Sequence, residues 1–194
     1  MTTRRDVLRT SAALIVGAAT LDTRAAQTEP KRRENSAGSS NFTPVITPNG
    51  STLPWKMIDG YKTFHLIAEP VKREFAPGMM VNCWGYNGQT PGPTIEAVEG
   101  DKVRVYVTNK LPEATSVHWH GILLPNGMDG VKGLTQPAIE PGKTFVYEFT
   151  LKQNGTFMYH PHADEMVQIA YGMQGMIVIH PRSPSPVVQH AQRD

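Results

Sequence analysis

Two runs of alternating side chains constrain the fold of this chain more than any other feature. In residues 102–109, Val103, Val105 and Val107 alternate with Arg104, Tyr106 and Thr108. In residues 144–151, Phe145, Tyr147 and Phe149 alternate with Val146, Glu148 and Thr150. A period of two sends successive side chains to opposite faces of a strand, so each run turns one face to a core and one to solvent. Further β-type runs cover 63–68, 79–86, 116–120, 156–159 and 176–180. Gly and Pro within 87–93 and the pair Pro141-Gly142 mark turns between them. The 17 Gly and 16 Pro suit a turn-rich β protein better than a helical bundle. Residues 164–170 have room for one helical turn, too little to change the class. The pattern predicts an all-β chain folded as a Greek-key β-sandwich.

The ends read differently. Residues 1–26 combine a basic start containing Arg4-Arg5, an apolar stretch and small residues near Ala25-Ala26, the three parts of a signal peptide. Arg4-Arg5 followed by Val7-Leu8 resembles a twin-arginine signal and predicts a periplasmic destination. The apolar stretch falls short of the roughly 20 residues that a bilayer span requires. Residues 27–59 read as a polar leader, 60–181 hold the expected domain, and 182–194 form a Pro-rich linker or tail. Residues 1–33 carry seven basic and three acidic side chains, a net of +4. The remaining 12 basic and 14 acidic groups sum to −2. A weakly acidic folded part carries no electrostatic footprint for nucleic acid. The one cysteine, Cys83, excludes an intrachain disulfide and reads as a small buried apolar residue.

Chemistry concentrates in two histidine pairs. His118 and His120 lie two residues apart on a predicted strand and therefore point to one side, with Trp119 turned the other way as core packing. His160 and His162 repeat that spacing at a strand end. Two such pairs on neighbouring strands can converge on one metal region, and neutral imidazole suits Cu, Zn, Fe and Ni.

The flanking residues narrow that choice. The run 86–95, Tyr-Asn-Gly-Gln-Thr-Pro-Gly-Pro-Thr-Ile, resembles an early signature of the multicopper oxidases. So do His-Trp-His-Gly at 118–121, Gly-Met-Asp-Gly at 127–130, Leu-Thr-Gln-Pro-Ala-Ile at 134–139 and Gly-Thr-Phe-Met-Tyr-His-Pro-His at 155–162. The resemblance runs collinearly over about residues 60–181 and is nearest to the N-terminal cupredoxin domain of the bacterial three-domain, laccase-like branch. It implies a cupredoxin-like fold and a trinuclear copper cluster with type 2 and type 3 ions. His118 would bind the type 2 copper, His120 and His160 one type 3 copper, and His162 the other. Asp129 would be an outer-sphere carboxylate that orients water and feeds protons to the cluster. Its simpler reading is a turn-forming aspartate in Met128-Asp129-Gly130. The implied reaction couples one-electron oxidation of a reducing substrate to reduction of O₂ to water, with phenols, Cu(I), Mn(II) and Fe(II) all open as substrates.

Cys83 has no histidine at the spacing of a type 1 copper site. The expected partners are therefore further C-terminal cupredoxin domains or a second chain that supplies the other ligands. The chain would be a fragment, a truncated product or a subunit, inactive by itself. Two other readings remain open at this point. One is a non-catalytic copper-holding module that uses Met158, Met166, Met173 and Met176, since thioethers are soft ligands. The other is a cupin-like single-metal enzyme that uses Glu165 beside His160 and His162.

Overall fold

The structure is a computed structural model that describes residues 42–48 and 50–183. The proposed signal at 1–26 lies outside the described residues, as do residues 184–194 of the tail. Among the described residues, nine strands form two sheets. The first contains β1 (Trp55–Ile58), β2 (Tyr61–Ala76), β5 (Lys102–Asn109) and β7 (Thr144–Thr150) in that spatial order, with β3 (Met79–Tyr86) also paired to β2. The second runs β4 (Ile95–Val98), β9 (Gly175–His180), β8 (Gly155–His160) and β6 (His118–His120). A short helix, α1 (Glu165–Ala170), joins β8 to β9. Over these residues the chain is an all-β sandwich, as its alternation predicts, and it fits the cupredoxin-like fold that the resemblance implies.

The alternating residues meet between the sheets. Val103, Val105 and Val107 of β5 are buried beside Tyr147 and Phe149 of β7. From the second sheet come Trp119, Tyr159, Ile177 and Ile179. Trp119 touches Tyr147 edge-on, with ring centroids 5.2 Å apart, and Phe149 at 5.5 Å. Such contacts add about 0.5–1.5 kcal/mol each beyond area burial.

Three features depart from the pattern reading. β2 runs on to Ala76, past the expected end at Ala68. Its pairing with β5 stops at the Ala68–Asn109 register, and beyond that point it pairs only with β3. Pro70 is tolerated there because one flank of the strand needs no ladder donor. β4 escaped the sequence reading because Ile95, Glu96 and Ala97 are all buried, so the strand shows no alternation. Lastly, part of the segment 27–59 belongs to the sandwich, with Trp55–Ile58 paired to β2 as β1. Leu53 N–H donates to Thr94 O (2.7 Å), Val45 N–H to Glu96 Oε1 (2.8 Å), and the Phe42 ring stacks on His180 at 3.8 Å. Among the described residues, no helix is long and apolar enough to cross a membrane.

Candidate metal centre

β6 and β8 pair antiparallel with His118 opposite His160, Trp119 opposite Tyr159, and His120 opposite Met158. Trp119 and Tyr159 are only 1 % and 0 % exposed in the core. Their neighbours on each strand must therefore point to the outer face of the second sheet. This brings three imidazoles together. The His118 ring centroid lies 5.6 Å from that of His120 and 5.3 Å from that of His160, and His120 and His160 are 5.3 Å apart. One ring nitrogen from each of the three falls within 4.8 Å of the other two.

His162 is nearby but held differently. It lies two residues past β8, beyond Pro161, and so leaves the strand register. Its ring is 5.4 Å from that of His118 and 6.3 Å from that of His160. Its Nε2 lies 3.4 Å from Glu165 Oε2, one helical turn ahead. The backbone around it is tied down: His162 N–H donates to Ser116 Oγ (3.3 Å) and Lys132 N–H to His162 O (3.2 Å).

Hydrogen bonds fix which nitrogens are free. His118 Nδ1 lies 2.7 Å from the Asp129 carbonyl oxygen. A carbonyl can only accept, so Nδ1 carries the proton and Nε2 keeps its lone pair. His160 Nδ1 likewise donates to Pro161 O at 3.0 Å, leaving its Nε2 free. That Nε2 faces His120 Nδ1 at 3.1 Å. Two nitrogens bound to one ion at about 2.0–2.1 Å each would be separated by about 3 Å at ordinary ligand angles. The donor set therefore fits a shared transition-metal ion. Burial pushes the His160 ring below the usual imidazole range; the neighbouring rings of His118 and His120 act the same way, while the Pro161 carbonyl and Glu165 oppose it. A ring kept neutral is a ring able to ligate.

The supporting residues were mostly invisible in sequence. Gly130 has φ +84°, and a Cβ there would lie 1.8 Å from Val117 O. Only glycine permits that turn to press against β6 and deliver the Asp129 carbonyl to His118. The Asp129 carboxylate stands slightly farther off, with Oδ1 3.4 Å from His118 Nδ1. The orienting contact is thus the peptide carbonyl, where the sequence had drawn attention to the side chain. Tyr147 reaches through the core so that its hydroxyl accepts the Val117 N–H (3.0 Å) directly before the first histidine. Gln168, fully buried on α1, accepts from Thr115 Oγ1 (2.8 Å) and donates to Ala114 O (2.9 Å) and Glu113 Oε1 (3.0 Å). It locks the helix after His162 to the loop before His118. Cys83 is buried in β3 opposite Val71.

Comparisons with known proteins identify the family. A family model described as multicopper oxidase matches residues 68–184. Copper resistance protein A of Escherichia coli is 50 % identical over 100 residues, covering 52 % of this chain and 16 % of the relative. The multicopper oxidase mco of Staphylococcus aureus is 40 % identical over 129 residues, covering 65 % of this chain and 28 % of its own length. Among solved structures, a multi-copper oxidase from Pseudomonas thermotolerans superposes with a TM-score of 0.63 at 43 % identity, over 65 % of this chain and 31 % of that one. A blue copper oxidase from Nitrosomonas europaea gives 0.64 at 35 % identity, over 67 % and 42 %. The chain thus spans well under half the length of these relatives. The cupin-like alternative gives way to these matches, and the chain belongs to the multicopper oxidase family.

Proposed function

We propose that residues 60–181 are the N-terminal cupredoxin domain of an exported, laccase-like copper oxidase and supply four histidines to a trinuclear cluster. The observation that carries this reading is the pair His120 Nδ1 and His160 Nε2, 3.1 Å apart, with His118 beside them on the same sheet face. In the assignment that follows, His118 serves the type 2 copper, His120 and His160 one type 3 copper, and His162 the other. The twin-arginine signal at 1–26 would direct the protein to the periplasm.

Copper bound here would supply one-electron redox chemistry and a place for O₂ to be reduced. The protein's own residues hold and tune that place. The Asp129 carbonyl and the Pro161 carbonyl lock the rings of His118 and His160 by their Nδ1–H groups, a common way to fix ligand orientation. Burial keeps His160 neutral. The Asp129 carboxylate, beside His118, is placed to orient water and hold a proton next to the ligand set. Cys83 is the sole cysteine, and it lies on β3 away from the histidines. Electron entry through a type 1 copper therefore requires ligands from another cupredoxin domain or a partner chain. The reducing substrate belongs to that part of the assembly.

Copper(II) titration followed by electron paramagnetic resonance tests the ligand set. Imidazole nitrogen couplings lost in His118→Ala and His160→Ala are the expected result. Unchanged spectra in both variants would refute the assignment. Oxygen uptake with a phenolic substrate separates the oxidase from the non-catalytic copper module. Uptake is expected only when a cupredoxin domain bearing type 1 copper ligands accompanies these residues, and a lasting absence of uptake with such a domain present would favour the module.

A further inference from the structure

The four methionines grouped by sequence do not form one cluster. Met173 is fully buried in the core, and Met166 on α1 is 88 % exposed. Met158 and Met176, by contrast, are direct cross-strand partners on β8 and β9, and Met158 is also the partner of His120 on β6. His120, Met158 and Met176 thus form one straight row across three adjacent strands. Their in-strand neighbours Trp119, Tyr159 and Ile177 are buried in the core, so all three side chains of the row point to the outer face. Directly opposed residues on adjacent strands have Cβ atoms about 4.5–5.5 Å apart. Three rotatable bonds in each Met allow neighbouring sulfurs to turn toward one ion.

The row forms the wall of an open groove of about 610 Å³. Its other walls include Thr47, Thr156, Gln174 and Phe157, and among the described residues no charged side chain lines it. A hard divalent cation would find no carboxylate among these lining residues. Two thioethers and an imidazole are instead a donor set for a soft monovalent ion.

We propose that Met158, Met176 and His120 form a receiving site for Cu(I), one strand row away from His118 and His160. The ion would enter by the groove and be held by two sulfurs and one nitrogen. His120 belongs to both groups, since its Nδ1 already faces His160, and it gives the ion a short path into the histidine cluster. The proposal stands on the register of β6, β8 and β9, and it does not depend on the trinuclear assignment.

The test uses the full chain under anaerobic conditions, with Cu(I) supplied from a chromophoric Cu(I) chelator and with Ag(I) as a redox-inert probe. X-ray absorption should show sulfur scatterers around the bound ion. Met158→Leu/Met176→Leu should remove them and weaken Cu(I) and Ag(I) binding by about tenfold or more, since even supporting residues of metal sites contribute about 10–100-fold. Leucine is close to methionine in volume, so the fold should survive, and an unchanged melting temperature would verify this. Met166→Leu should bind as the parent does. Sulfur scattering that persists in the double variant, or Cu(I) bound by nitrogen alone in the parent, would overturn the proposal. Copper(II) binding separates the two readings. Its loss in His118→Ala with sulfur-bound Ag(I) retained in that variant supports both. Its indifference to His118 and His160 sinks the cluster assignment and leaves this site standing.

Discussion

His120 Nδ1 and His160 Nε2 face each other across 3.1 Å, although 40 residues separate them in sequence. If both lone pairs serve one ion, removing either should abolish the same binding event. His120→Ala and His160→Ala should each weaken copper(II) binding at least about tenfold, and the double variant should be little worse than either alone. A double-mutant cycle of copper(II) affinities measures this. Additive losses would mean that the two rings serve separate ions.

Gly130→Ala should damage the site through the backbone. The residue adopts φ +84°, and its added Cβ would run into the Val117 carbonyl. Backbone strain of this kind costs about 1–3 kcal/mol, and the clash adds to it. Gly60 is a matched control, with φ +78° and open space around its Cβ position. Denaturant unfolding should show Gly130→Ala to be clearly less stable than Gly60→Ala. Equal losses would show that the turn does not press on β6.

Tyr147→Phe deletes the acceptor of the Val117 N–H while leaving the ring packed on Trp119. An orphaned buried donor costs about 1–3 kcal/mol. The amide of Val117 should exchange with solvent faster than in the parent, measured by hydrogen–deuterium exchange. Unaltered protection there would show that the bond does not hold the strand.

The metal-free chain should lose stability in mild acid. Burial lowers the His160 pKa in the folded state below its unfolded value of about 6.5. Above that value the ring is neutral in both states and adds no pH dependence. As pH falls through it, the unfolded chain takes the proton more readily, so stability declines until the folded pKa is reached. Unfolding midpoints at pH 7.5 and 5.5 should differ more for the parent than for His160→Gln. An identical decline in the variant would assign the effect to other groups.

The legible part of this fold was its periodicity. The β5 and β7 alternation fixed the sandwich, and the His118/Trp119/His120 triplet fixed which way each ring points. Contacts between residues distant in sequence were not legible. Nothing near Tyr147 announces that its hydroxyl ends at Val117, and nothing near Gln168 announces Thr115. Glu165 was legible as a candidate ligand of a cupin-like site, and the structure instead sets its carboxylate 3.4 Å from His162 Nε2 at the start of α1. The Asp129 carboxylate drew attention through its match to a family outer-sphere carboxylate, yet the short contact belongs to its carbonyl, which every residue type possesses. The row His120–Met158–Met176 needed the strand register, which sequence alone did not supply.

The inward placement of Trp119 and Tyr159 has a consequence for how mistakes in assembly would be punished. Side chains on a strand swap faces with a shift of one residue. If β6 slid by one position against β8, its imidazoles would be driven toward the oily interior while an indole faced water. The native pairing of these two strands is therefore enforced from both sides at once. The greasy side selects it during folding even when no ion is present, and the ligand side is correct as a by-product. A protein built this way can fold first and acquire its metal afterwards.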